Sequence, residues 1–249
     1  MRSRYDRTIG YSDLDLADPN KVFRIVQINK AVIDELFPTS EKAVILVAGA
    51  GTGLEALLVH QVFGSTTIGV DLNVRPWQRA GTHSGVILSR QDLNELGLSG
   101  ASVNLVYCYH VLEHVLDPAR ALRELHRVLV PGGVLFVGFP NRHRLISYIG
   151  TSQKATVLDK LRWNMQDLGY RVRGRFRNEF GAHAGFAEAE FTAAASQLFN
   201  SVRSVRSRYM LAKYPAFSRL LNLVVRLGMD EVLFPSNYFV CVKDYAAGG

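Results

Sequence analysis

From residue 43 to residue 139, short apolar runs alternate with amphipathic stretches, joined by links of a few residues. Residues 43–48, 66–71, 85–89, 104–109 and 134–139 read as buried strands. Residues 52–63 and 117–130 read as helices. In the second, Leu122, Leu125, Val128 and Leu129 form one face, and Pro131-Gly132-Gly133 is expected to end it. Strands alternating with helices through short links pair in parallel with right-handed crossovers. The expected architecture is α/β, a mostly parallel sheet with helices on both faces.

Upstream, Asp18-Pro19 offers an acceptor cap followed by proline in the first turn, and a helix is expected from there to just before Pro38. Val22, Ile25, Val26, Ile28, Val32, Ile33 and Leu36 give it an apolar face; residues before Asp18 read as a flexible arm. After Pro140 the rhythm breaks. Residues from about 141 to 182 are rich in Arg, Gly and aromatics and lack a clean period. Residues 187–199 read as helix, 201–210 as strand, 217–229 as an amphipathic helix and 237–242 as a last strand, which brings the expected sheet to seven strands. The organisation is an arm and helix at 1–41 and one domain at 42–249, with an insertion at about 142–183 after strand five.

A chain of 249 residues, 48% hydrophobic and 20% charged, has room for one large globular core. The first residues carry charge with no apolar core behind it, so no signal peptide is expected; the longest apolar stretches, such as 220–227, are broken by Asn222 and Arg226, so no membrane span is expected either. A cytoplasmic location follows as the expectation. Cys108 and Cys241 lie in apolar runs and read as buried free thiols; two cysteines cannot form a disulfide framework or a zinc site. The net charge of +7, from 29 basic and 22 acidic residues, slightly favours an anionic partner and is too small to argue for nucleic acid.

The chemistry is carried first by Gly49-Ala50-Gly51-Thr52-Gly53, between the first strand and the helix that follows it. Such a turn lets a ligand approach the backbone, and the helix N-terminus favours negative charge. A dinucleotide fingerprint needs a third small residue after two intervening positions, and here that position is the bulky Leu54, which disfavours an NAD-dependent oxidoreductase. The second signal is Asp71, followed by Leu72, at the end of the second strand, where a carboxylate can accept from both hydroxyls of a ribose. In order along the chain follow Asp92-Leu93-Asn94-Glu95-Leu96, the run from Asn104 through Tyr109-His110-Val111-Leu112-Glu113-His114 to Asp117-Pro118, then Leu125 through Gly133, and Phe136 through Asn141.

Together these segments, across residues 43 to 141, resemble the class I S-adenosylmethionine-dependent methyltransferases, and within them the type 11 and ubiquinone-biosynthesis-like small-molecule branch. Residues 183–199 resemble the same family more weakly. The resemblance implies a Rossmann-like fold, S-adenosyl-L-methionine as cofactor and methyl transfer to an O, N or C acceptor, a small molecule. It implies that Gly49, Ala50, Gly51 and Gly53 surround the methionine portion and that Asp71 and Leu72 flank the ribose. It places Asp92 at the adenine amino group, Leu93 at the ring through its backbone N–H, and Tyr109 beside the ammonium or sulfonium. The chain departs from the family at Val47, where many members carry an acid, and at Asn104, which replaces a common Asp. The first departure keeps open a non-catalytic, methyltransferase-like binding module.

His110, His114 and His183 are the candidate catalytic residues, because imidazole titrates near neutrality and could take a proton from the acceptor; His114 also reads as an ordinary packing or capping residue. No Gly-x-Ser-x-Gly elbow, His-Glu-x-x-His or clustered Cys/His occurs, so neither a serine triad nor a metal is expected. Arg171, Arg173, Arg175 and Arg177 alternate with period two. On a strand they would share one face, either solvated or arranged to bind a phosphate or carboxylate on the acceptor. Trp163, Tyr170, Phe176 and Phe180 would supply apolar walls. The stripe Leu220, Leu221, Leu223, Val224, Val225 and Leu227 faces the core or a homodimer partner more readily than a membrane.

Overall fold

A computed structural model describes residues 18–38, 40, 42–72, 85–145, 147, 156–178 and 183–245. The arm before Asp18 and Phe180 lie outside them. In chain order the elements are α1 (Pro19–Asp34), β1 (Val44–Ala48), α2 (Leu54–Phe63), β2 (Thr66–Asp71), β3 (Val86–Arg90), β4 (Val103–Tyr109), α3 (Pro118–Val128), β5 (Leu129–Pro140), α4 (Val157–Val172), α5 (Glu188–Ala195), β6 (Ser201–Ser204), α6 (Arg206–Lys213), α7 (Ser218–Arg226), α8 (Asp230–Leu233) and β7 (Ser236–Val242). A 3-10 turn, Leu112–His114, follows β4.

The sheet has seven strands in the order β3-β2-β1-β4-β5-β7-β6. The first five are parallel, and β7 runs antiparallel to both β5 and β6. Alternate side chains of β4 divide the core. Leu105 and Tyr107 join α1, α2 and α6 on one face, whereas Val106 and Cys108 join α3 and α5 on the other. A strand buried on both faces has no polar side to show, which is why its sequence runs apolar. Cys108 and Cys241 are buried and free.

Helix α1 starts where a cap was expected: the Asp18 carboxylate accepts from the Asn20 and Lys21 backbone N–H groups, with Pro19 in the first turn. Its buried face includes Asn29, whose amide donates to the Tyr107 hydroxyl. Asn104, at the position of the family's Asp, accepts from the Val44 N–H at 2.9 Å and so ties the start of β1 to β4.

Three expectations are corrected. Pro131-Gly132-Gly133 does not end α3, which stops at Val128; the three residues bulge within β5, whose partners jump from Val103↔Leu129 to Leu105↔Val134. Gly132 takes φ +73°, a conformation glycine allows. Residues 205–210 are not strand. Val205 and Tyr209, both buried and four apart, fit a helical face, and α6 begins at Arg206. The alternating arginines are not on a strand either. Thr156 and Asp159 form a capping box that starts α4; Arg171 lies in its last turn, and Gly174 at φ +65° turns the chain before Arg175 and Arg177. No shared guanidinium face results.

Candidate active site

Order reverses beside β1: the chain moves to β2 on one side and to β4 on the other, and ligands of open α/β sheets bind beyond the carboxyl ends of strands at such a point. The turns leaving β1 and β4 meet there. A Cβ on Gly49 would stand 2.3 Å from a Val111 methyl, and its φ of +69° lies in the region that favours glycine. Gly51 and Gly53 also take positive φ, and Gly53 opens α2. The Gly51 N–H donates to Asp71 Oδ2 at 2.9 Å, coupling the glycine turn to the end of β2. Ala50 is buried beneath the turn, and its N–H reaches the Val70 carbonyl.

Further along the same edge, Leu72 is exposed and its carbonyl accepts from Arg90 Nε. Asp92 Oδ1 accepts from the backbone and side chain of Asn94, a local turn that fixes the carboxylate, while Leu93 packs in the core. Tyr109 ends β4 with its hydroxyl 3.0 Å from that of Tyr209, in an aromatic stack with Tyr238. Burial pushes the phenols of Tyr109 and Tyr209 well up, so they stay neutral donors and acceptors. Tyr209 enters this stack only because residues 206–213 are helical.

The three candidate histidines, drawn from positions 110, 114 and 183, come together around one carboxylate that the sequence reading passed over. Glu113 is 4% exposed. His110 Nδ1 stands 3.4 Å from its Oε1, His183 Nε2 3.8 Å and His114 Nε2 4.0 Å. Among the described residues neither Glu113 oxygen receives a hydrogen bond of good geometry. Burial alone would raise its carboxyl, but His110, His183 and His114 outweigh it and hold the group below the usual carboxylate range. Burial, against the opposing pull of Glu113, drives His183 down to about 3, so it is neutral. His114 and His183 rings stack at 5.0 Å. His110 sits at φ +56°, uncommon for a residue with a Cβ, and its N–H is held by the Gly138 carbonyl at 2.8 Å. The legible clue to Glu113 was its place between two histidines in one turn.

His183 is delivered by a network the sequence did not signal. Arg144, 2% exposed, donates from Nη2 to the His183 carbonyl at 2.8 Å and to Asp167 at 3.0 Å, and from Nη1 to the Asn141 and Ala184 carbonyls. Arg171 donates to the carbonyls of Arg142 and Arg144 and stacks 3.9 Å over Phe176. It braces residues 142–144 against α4. On the opposite side of the glycine turn, Glu55 is buried near Tyr107, and burial raises its carboxyl to about 7. Val47, in register with Tyr107, is fully buried.

Residues 46–137 match the Methyltransf_11 family model, described as a methyltransferase domain. Over these residues the chain is similar to S-adenosylmethionine-dependent methyltransferases. Over 138 residues it is 36% identical to a "Probable S-adenosylmethionine-dependent methyltransferase" of Mycobacterium tuberculosis, covering 55% of this chain and 47% of that protein. It is 24% identical over 209 residues to a ubiquinone biosynthesis O-methyltransferase of Cupriavidus pinatubonensis, covering 78% and 83%. A solved S-adenosylmethionine-dependent methyltransferase from Mesorhizobium loti superposes with a TM-score of 0.55 at 16% identity, covering 87% of this chain and 98% of that one. The last comparison concerns the fold alone. The chain spans about half the length, or less, of the mycobacterial methyltransferases it matches. Among the described residues no helix is long and apolar enough to cross a membrane.

Proposed function

We propose that this protein transfers a methyl group from S-adenosyl-L-methionine to an oxygen, nitrogen or carbon of a small molecule. The observation that supports this reading is the tie between the Gly49–Gly53 turn and Asp71, which brings the two together at one sheet edge. Gly49, Ala50, Gly51 and Gly53 wrap the methionine portion, Asp71 and Leu72 bind the ribose, Asp92 and Leu93 the adenine, and Tyr109 lies beside the sulfonium. In the transfer an acceptor lone pair bonds to the methyl carbon as the carbon–sulfur bond breaks. The electron pair of that bond returns to sulfur, which loses its positive charge, and a proton leaves the acceptor. Near-attack positioning and exclusion of water supply much of the rate. The cluster of His110, His114 and His183 around Glu113 is the acceptor side of the site, where that proton is handled.

We divide the chain into a leading segment, 1–41, and the methyltransferase domain, 42–249, with the 142–183 segment covering the acceptor. A cytoplasmic location suits the two buried free thiols, and the exposed Leu220, Leu223 and Leu227 mark the face a homodimer would use. One observation favours a second reading, a non-catalytic binding module: Val47 is buried where an acid would meet the methionine ammonium. Methyl-label transfer to pooled small-molecule acceptors separates the two. Incorporation that disappears in Asp71→Asn supports the enzyme; S-adenosylhomocysteine binding without any incorporation favours the module.

A further inference from the structure

Buried carboxylates ordinarily take several hydrogen bonds, because an unsatisfied charged group in the interior is costly. Glu113 departs from that rule: its side chain is 1% exposed, yet neither oxygen has a well-formed hydrogen bond among the described residues. What faces it are imidazole nitrogens. His110 Nδ1, His183 Nε2 and a Glu113 oxygen all lie within 4.8 Å of one another.

We propose that His110, Glu113 and His183 form a binding site for a first-row divalent metal ion. Ligand atoms of one tetrahedral ion, with bonds of about 2.0–2.2 Å, stand roughly 3.4 Å apart. The His110–Glu113 separation is already 3.4 Å and the His183–Glu113 separation 3.8 Å, so small side-chain rotations complete the set. Two imidazoles and one carboxylate suit zinc, iron, cobalt or nickel, whereas magnesium and calcium favour oxygen ligands alone. Three protein ligands leave a position open, the pattern of metal sites that act on a bound molecule.

The backbone is arranged to hold this geometry. His110 is fixed at φ +56° by its bond to Gly138, a strained state of the kind kept where the surroundings over-determine it. His183 arrives from 70 positions along the chain, its carbonyl clamped by Arg144. His114 stacks on His183 and lies 4.0 Å from Glu113, a neighbour of the site. A cation here supplies Lewis-acid stabilisation to an acceptor oxygen as its proton departs. That placement rests on the methyl-transfer reading; the binding of metal does not.

The test uses the full chain without a histidine tag, stripped with chelator and titrated with Zn2+ by calorimetry, with Co2+ absorption bands as the readout of coordination. One Zn2+ per chain is expected. Glu113→Gln and His183→Ala should each weaken it by at least about 100-fold, beyond the 10–100-fold typical of changes behind the ligands, and His114→Ala by less than that. Each variant is shown to be folded by its melting transition, and if Glu113→Gln fails to fold, His183→Ala decides. Absence of Zn2+ binding, or wild-type affinity in folded His183→Ala, overturns the site. Stabilisation by S-adenosylhomocysteine without Zn2+ binding removes only the metal; Zn2+ binding without it upholds the metal and removes the methyl-donor reading.

Discussion

The two sides of the proposed active site, one for cofactor and one for acceptor, are built by different means. On the cofactor side, residues 43–141, the edge is backbone geometry: parallel strands in register, three glycines at positive φ, and one carboxylate locking the turn. On the acceptor side, residues 142–186, position comes from side chains reaching across the chain, with Arg144 and Arg171 donating to backbone carbonyls and so presenting His183 to Glu113. The first kind of order is local and follows from neighbouring residues. The second depends on partners tens of residues away and is expected to fail when one of them is removed.

Gly185 is where the acceptor side borrows the backbone rule. It sits at φ +67°, and a Cβ there would stand 1.8 Å from the Pro140 carbonyl oxygen. Gly185→Ala should therefore cost more than about 4 kcal/mol, the exceptional end of single substitutions, read as loss of the folded protein or a large fall in melting temperature. A mild effect would break the division at that point. Arg144→Ala removes a buried guanidinium that bonds Asp167 and the His183, Asn141 and Ala184 carbonyls and should cost about 3–5 kcal/mol. Cofactor-side order should survive, so S-adenosylhomocysteine should still raise the melting temperature of this variant; loss of that response would mean the two sides are one cooperative unit.

A third prediction sharpens the cofactor side. Burial raises the Glu55 carboxyl from 4.5 to about 7. Between those values the folded state holds a proton the unfolded state has released. Stability from this group is thus complete below about pH 4.5 and lost as pH climbs through about 7. Glu55→Gln should match wild type near pH 4 and exceed it by about 3 kcal/mol at pH 8, measured by denaturant unfolding at both pH values. An equal effect at both would place the Glu55 carboxyl in water.

The same contrast explains what could be read from the sequence. Strand β2 was expected at 66–71 and is Thr66–Asp71, and the glycine turn and Asp71 lie where the motif order put them, because periodicity and glycine spacing are local signals. The strand considered for the arginines does not form because their period of two is an accident of a helix end and a turn. Val205 and Tyr209 likewise showed helical spacing within a run that looked like strand. Arg144 had no signal of its own, since a lone charged residue in sequence does not reveal that it is buried, and Glu113 had only its place between two histidines in one turn. The histidines were selected one by one for their chemistry; only the fold brought them to one carboxylate.

The central claim is the methyl-donor site, and thermal shift tests it most directly. S-adenosylhomocysteine at a hundredfold excess over its dissociation constant should stabilise the chain by about 2.7 kcal/mol, NAD and NADP by nothing, and Asp71→Asn should lose most of the response, as charge-assisted hydrogen bonds are worth roughly 1.5–3 kcal/mol each. A shift with NAD alone, or an undiminished response to S-adenosylhomocysteine in Asp71→Asn, would contradict it.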